Sequence, residues 1–327
     1  MANEFQYAEG RRVKITNAQR KQIRRMYQQV AEEIRSTAKH LEKKSNVSSA
    51  LRRAYLDDLL KEIENNIESL NQQLEGTIRE NMTKVSMAVV EDNSRYLRRM
   101  GITLAQAYSY IPKDVIEEVI TGKLYEGRWT LSKAIWSDSR KTIKDLNTII
   151  AKGIAENKST YVIAKELEKY VNPKVRKDWN WSKVYPGTKK IIDYNAQRLA
   201  RTMVSHAYQE SFVRATKNNP FVDAYQWLIS NSDRVCPLCH DRATLNQFGL
   251  GSGVYPKNSL PLDHPNGMCT FSTIRSRSYE QIADDLSNWV VGTGDKQMNK
   301  QIDAFAYDLL KQKSQSSIKM MKKSITL

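Results

Sequence analysis

The sequence predicts a mainly α protein: a long N-terminal helical hairpin and a helical middle region, followed by a small C-terminal α+β domain stapled by zinc. Three observations predict it. Glycine (13) and proline (8) are scarce in 327 residues, well under the usual joint share of roughly 12 %, which excludes collagenous, low-complexity and turn-dense all-β chains. Apolar residues through the first ninety positions recur at spacings of three and four, the mark of amphipathic helices. The three cysteines, Cys236, Cys239 and Cys269, fall in one late stretch where the helical period gives way to short β-type runs.

The first helix is read from Ile23, Tyr27, Val30, Ile34 and Leu41, a single apolar stripe. Residues 43–49 (KKSNVSS) interrupt it with turn and capping types. A second series runs through Leu56, Leu60, Ile63, Ile67, Leu70, Leu74, Ile78, Met82, Val85 and Val89. Its sustained near-heptad spacing predicts packing on the first helix or on a neighbouring subunit. These residues, 1–100, are expected to form a basic hairpin domain. A helical middle domain is expected over 101–219, with breaks at Ile111-Pro112 and between Gly122 and Gly127. Within it, helices are predicted at 131–154 and 160–170 with a cap around Ser159, then a basic loop over 172–187 and a helix from Ile191 to about Lys217. The Cys/His domain is expected over 220–294, with a strand at 224–229. Residues 295–327 are expected to be a last helix and a Ser/Lys tail.

Lys and Arg (52) exceed Asp and Glu (36), a net charge of +16, which favours a polyanionic partner. The excess is concentrated between Arg11 and Arg53, where thirteen basic residues face three acids. Arg11, Arg12, Lys14, Arg20, Lys21, Arg24, Arg25, Lys43, Lys44, Arg52 and Arg53 are the expected contacts to the backbone of double-stranded DNA, without sequence preference. A second basic stretch, 172–217, interleaves Trp179, Trp181 and Tyr185, which could stack on exposed bases. The start of the chain lacks the apolar run of a signal peptide, and no apolar stretch is long enough to span a bilayer, so a soluble protein folded in the cytoplasm is expected.

The chemistry is concentrated at Cys236-x2-Cys239 and, after 24 intervening residues, His264-x4-Cys269. Two close pairs separated by a loop suit tetrahedral zinc, and four protein ligands make the metal structural. His240 is a rival nitrogen, awkward because it adjoins Cys239. Catalytic readings fare worse. His40-Leu41-Glu42 lies far from the cysteines for a zinc deaminase, and no histidine follows Asp263-His264 to complete an HNH nuclease motif. Glu166 and Glu168 sit ~200° apart on a helix, too far round to serve one ADP-ribosyltransferase site. Ser205-His206 has no partnering acid nearby and reads as helix surface. No catalytic residue is expected.

Three segments, Ile149–Val171, Arg198–Ser211 (RLARTMVSHAYQES) and Trp227 through Cys236-x2-Cys239 to Pro261–Cys269, resemble the minor head, or head morphogenesis, proteins of tailed bacteriophages, the group related to the F-like protein of phage Mu. The similarity spans roughly residues 131–277. Asn157 stands where glycine is usual, Met203 where glutamate is expected, and Gly267 and Met268 where the pattern "H-P-N-C-R-C" has Cys and Arg. The resemblance implies a low-copy, non-enzymatic minor capsid protein that associates with the phage portal protein, with the scaffold or major capsid protein as further candidate partners. It implies a location in the virion, inside the head, after assembly in the host cytoplasm, and DNA ejection as a step it could accompany. The alternative is an effector or toxin enzyme, ADP-ribosyltransferase or nuclease-like, carrying the same small domain.

Overall fold

The computed structural model describes residues 4–42, 49–103, 108, 110–125, 130–156, 158–172, 179–180, 189–190, 194–230 and 235–310. It is mainly helical, with a short sheet and a Cys/His cluster in the C-terminal region. In chain order the helices are α1 (Gln6–Glu42), α2 (Ser49–Arg99), α3 (Ile111–Thr121), α4 (Leu131–Ala155), α5 (Thr160–Val171), α6 (Tyr194–Thr216), α7 (Pro237–Thr244), α8 (Tyr279–Val291) and α9 (Lys296–Leu310). A two-stranded ladder pairs β1 (Trp179–Asn180) with β2 (Lys189–Lys190). A three-stranded antiparallel sheet has β3 (Ala224–Leu228) between β4 (Val254–Pro256) and β5 (Thr270–Ile274). No helix among the described residues is long and apolar enough to cross a membrane.

The chain divides into two compact units: one of residues 1–15, 80–119 and 201–327, the other of 16–79 and 120–200. These units divide the chain differently from the boundaries expected at 100, 219 and 294. A long helix presents a new stretch of its apolar stripe every turn, and here successive stretches of α1 and α2 are covered by different neighbours.

In the second unit, Met26, Val30, Ala31 and Ile34 of α1 and Leu56, Leu59, Ile63, Ile67 and Leu70 of α2 pack with Leu146 and Ile150 of α4 and Ile163, Ala164 and Leu167 of α5. The α1–α2 hairpin is antiparallel, as the periodicity predicted: Gln22 bonds to Thr77 and Thr37 to Glu62, pairs whose numbers fall on one side and rise on the other. Leu59 is more deeply buried than the expected Leu60, which is partly covered. α4 and α5 start where capping residues predict. The Thr130 hydroxyl accepts from Lys133 N and Ser159 from Val162 N, each satisfying an orphan amide of the first turn. The two helices approach closely at Gly153, where a Cβ would lie 2.5 Å from Ile163 Cγ1.

The first unit is built around aromatic rings. Phe212 of α6 meets Phe5 edge-on at 4.8 Å between centroids and packs against Tyr225 of β3 and Phe271 of β5; Trp227 meets Phe271 edge-on. The N-terminal segment docks on the sheet through Glu4, which accepts hydrogen bonds from Thr273 and Arg275, and Ala8 N donates to Asp92 of α2. Ile111-Pro112 begins α3, where the sequence suggested a break; proline has no amide to lose in a first turn. α8 went unpredicted, although Ile282, Leu286 and Trp289 form its buried face and Ser278 with Gln281 make a capping box before it. Trp289 Nε1 then donates to Asp303 of α9.

Candidate metal centre

Cys236 caps α7. Its Sγ accepts from Cys239 N at 3.4 Å and its carbonyl from His240 N, with Pro237 in the first turn. The turn that starts a helix thereby brings both thiols to one side, and His240 points to solvent, 65 % exposed at its side chain, so it is no ligand of this cluster. The second pair comes from the loop before β5. His264 Nε2 lies 3.3 Å from Cys236 Sγ and 3.0 Å from Cys239 Sγ, and Cys269 Sγ lies 3.2 Å from Cys239 Sγ. All four predicted ligands are thus brought together, with Cys239 at the centre of the set.

The donors fit a metal. Zinc at about 2.3 Å from sulfur and about 2.0–2.1 Å from nitrogen spaces tetrahedral donors roughly 3.5–3.8 Å apart; here Cys236, Cys239 and His264 lie within 4.8 Å of one another, and Cys269 joins Cys239 in a second such group with Asp263. The His264 Nδ1 lies 2.9 Å from the Pro265 carbonyl; with the proton placed there, Nε2 presents its lone pair to the cysteines. Contact with Cys269 and burial raise the Cys239 thiol above its ordinary range, while the same contact, with Trp227 and Ser230, lowers Cys269.

The loop is held from behind by α6 and by one residue of α1. Thr202 Oγ1 accepts from Asn266 N, Ser205 Oγ donates to Gly267 O, His206 Nε2 donates to Asp263 O, and Gln209 accepts from Asp263 N while donating to Pro261 O. These four sit at i, i+3, i+4 and i+7, one face of the helix. Burial lowers the His206 pKa to about 4, so the ring is neutral. The expectation that Ser205-His206 is helix surface is therefore corrected: both are buried and bound to the loop that carries His264 and Cys269. Neither residue type nor local period distinguishes a hydroxyl facing a loop 62 residues away from one facing water.

Arg12 is a second correction. Counted among the DNA contacts, it is 1 % exposed and donates to the Cys269 and Met268 carbonyls at 2.9 and 3.0 Å, its guanidinium 4.4 Å from the Tyr208 ring centroid. Arg11, Lys14, Arg20, Lys21, Arg24 and Arg25 are exposed. Lys43 and Lys44 lie outside the described residues, as do the side chains of Arg52, Arg53 and Trp179, and all of Trp181 and Tyr185. The two carboxylates weighed for catalysis are engaged apart from one another: Glu166 pairs with Lys158 at 2.7 Å, and the buried Glu168 faces Arg35.

No family model, no curated protein and no solved structure matches this chain.

Proposed function

We propose that this chain is a non-enzymatic virion protein of the tailed-phage minor head type, which associates with the portal inside the head and contacts packaged DNA through the basic face of α1. The observation that carries the reading is the union of two resembling segments. Arg198–Ser211 and Pro261–Cys269 lie some fifty residues apart, and the first supplies Thr202, Ser205, His206 and Gln209 as the bed on which the second rests. A motif set of this kind specifies one structural unit, the metal loop on its helix.

Zinc is the metal we assign to Cys236, Cys239, His264 and Cys269, because three sulfurs and an imidazole nitrogen are its preferred tetrahedral donors. Four protein ligands leave no open position, so the metal supplies a cross-link between the start of α7 and the loop before β5. Exposed cations at Arg20, Lys21, Arg24 and Arg25 occupy neighbouring turns of one helix, a pattern that follows a phosphate backbone and reads no bases.

The test is genetic and biochemical together. Deletion is expected to yield heads that assemble but infect poorly, with the wild-type chain recovered from virions alongside portal protein and DNA. Glu166→Gln, Glu168→Gln and His240→Gln are expected to restore infectivity. Loss of infectivity from one of these changes, with fold and head incorporation intact, would overturn the non-enzymatic reading in favour of the effector enzyme. Elemental analysis is expected to find about one zinc per chain, and chelation to loosen the Cys/His region while the α1–α2 hairpin stays helical.

A further inference from the structure

The metal reading leaves one buried side chain of the loop without a role. Asp263 is 4 % exposed. A carboxylate in such a place is costly unless its oxygens are satisfied. Oδ1 accepts from His264 N at 2.8 Å and Oδ2 from Cys269 N at 3.3 Å. One side chain therefore ties down the backbone of two candidate ligands, the first and last residues of the H-x4-C pair. The space it occupies is left by Gly267: a Cβ built there would lie 2.2 Å from Oδ2 and 2.3 Å from Oδ1 and Cγ. Real Cβ atoms do not approach that closely, so residue 267 cannot carry a side chain while the carboxylate is in place.

We propose that Asp263 is a positioning residue of the metal centre, acting from outside the coordination sphere through the backbones of His264 and Cys269, and that Gly267 is its obligatory partner. This rests on the assignment of a metal to the cluster. Direct ligation is the rival role, since the carboxylate lies within 4.8 Å of the Cys239 and Cys269 sulfurs. Each oxygen accepts one backbone amide and keeps a second lone pair, so the choice rests on the ligand count: Cys236, Cys239, His264 and Cys269 already supply the four donors of a tetrahedral zinc. The two-acceptor geometry also requires a carboxylate: asparagine would turn an NH2 group towards one of the two N–H donors. Outer partners of this kind orient ligands, and their removal typically costs about 10–100-fold in metal affinity.

The experiment measures Zn(II) affinity by chelator competition and the Co(II) absorption spectrum on the full chain, for wild type, Asp263→Asn, Asp263→Ala, Gly267→Ala and the Asp263→Ala/Gly267→Ala double variant. Asp263→Asn and Gly267→Ala are each expected to weaken zinc about 10–100-fold, while their saturated Co(II) spectra keep the wild-type intensity and thiolate bands. The double variant is expected to bind no more weakly than Asp263→Ala, because the methyl group then enters space already vacated. Wild-type affinity in Asp263→Asn, or losses that multiply in the double variant, would overturn the pairing. A saturated Co(II) spectrum that loses its tetrahedral intensity in Asp263→Asn would make Asp263 a ligand instead. Circular dichroism of each zinc-saturated variant accompanies the titration; should Asp263→Ala not fold, the Asn and Gly267→Ala arms decide. Failure of the wild-type chain to bind zinc or cobalt at all would fell the metal assignment itself, an outcome distinct from every result above.

Discussion

Replacing Arg12 with methionine would keep an aliphatic stem of similar length and delete the guanidinium that joins the first turns of α1 to the loop before β5. Two hydrogen bonds go, to Cys269 O at 2.9 Å and Met268 O at 3.0 Å, together with the contact over Tyr208 at 4.4 Å. Charged hydrogen bonds are worth about 1.5–3 kcal/mol each and a desolvated cation–π contact about 2 kcal/mol. Against these stands the cost of holding a guanidinium away from water, which methionine sheds. The net loss is expected at about 2–4 kcal/mol, or roughly 6–12 °C in melting temperature for a unit of this size. Differential scanning calorimetry reads the shift. Hydrogen exchange locates it, with faster exchange expected at residues 5–15 and 264–269 and none added in α4 and α5. A melting temperature within about 1 °C of wild type, a shift expected from well under 1 kcal/mol, would refute the inward-facing role, as would unchanged exchange at 264–269.

Three further perturbations test other parts of the structure. Reversing Arg20, Lys21, Arg24 and Arg25 together to glutamate is expected to weaken DNA binding equally on all sequences and to lower the slope of log affinity against log salt by about 3–4; a salt-insensitive complex in a filter-binding or fluorescence titration would contradict it. Gly153→Ala is expected to cost about 1–3 kcal/mol by driving a methyl group into Ile163, with Ile163→Ala in the same chain recovering part of the overpacking; chemical denaturation measures both. His206 is neutral when folded, with its pKa lowered to about 4 by burial, whereas the unfolded imidazole protonates near pH 6.5. The unfolded state therefore takes up a proton first, and stability is expected to fall by about 3 kcal/mol as the pH drops from about 6.5 to about 4. His206→Gln should flatten that part of the profile, and an unchanged profile would count against it.

Periodicity, capping and ligand spacing made much of this molecule legible in advance, because each is a local consequence of backbone geometry. The stripe from Leu56 to Val89 marks a helix since residues three and four apart share a face. Ser159 caps α5 through a bond spanning three residues, and Cys236-x2-Cys239 brings two thiols together at the start of a single turn. Even the inward turn of Arg12 left a trace. Extended backwards from Ile23 at spacings of three and four, the buried stripe runs through Gln19, Thr16, Arg12, Ala8 and Phe5, so position, more than residue type, sets which cation faces in. α8 could have been read the same way from Ser278, Gln281 and its apolar triplet.

Other features were decided only by the tertiary structure. Arg12 meets Cys269 across 257 residues, Ser205 meets Gly267 across 62, and His206 meets Asp263 across 57. Gly267 reads as the loss of a cysteine until the Asp263 carboxylate is found in the space a side chain would need. The division of α1 and α2 between two units likewise depends on which neighbours cover each stretch of stripe. By itself the sequence determined most of the helices, the caps of α4 and α5 and the two close pairs of Cys and His residues, since each of these rests on contacts within a turn or two of chain. The partners of buried polar groups and the limits of the packed units were settled by folding, since they rest on complementary shape and charge between segments whose separation carries no period.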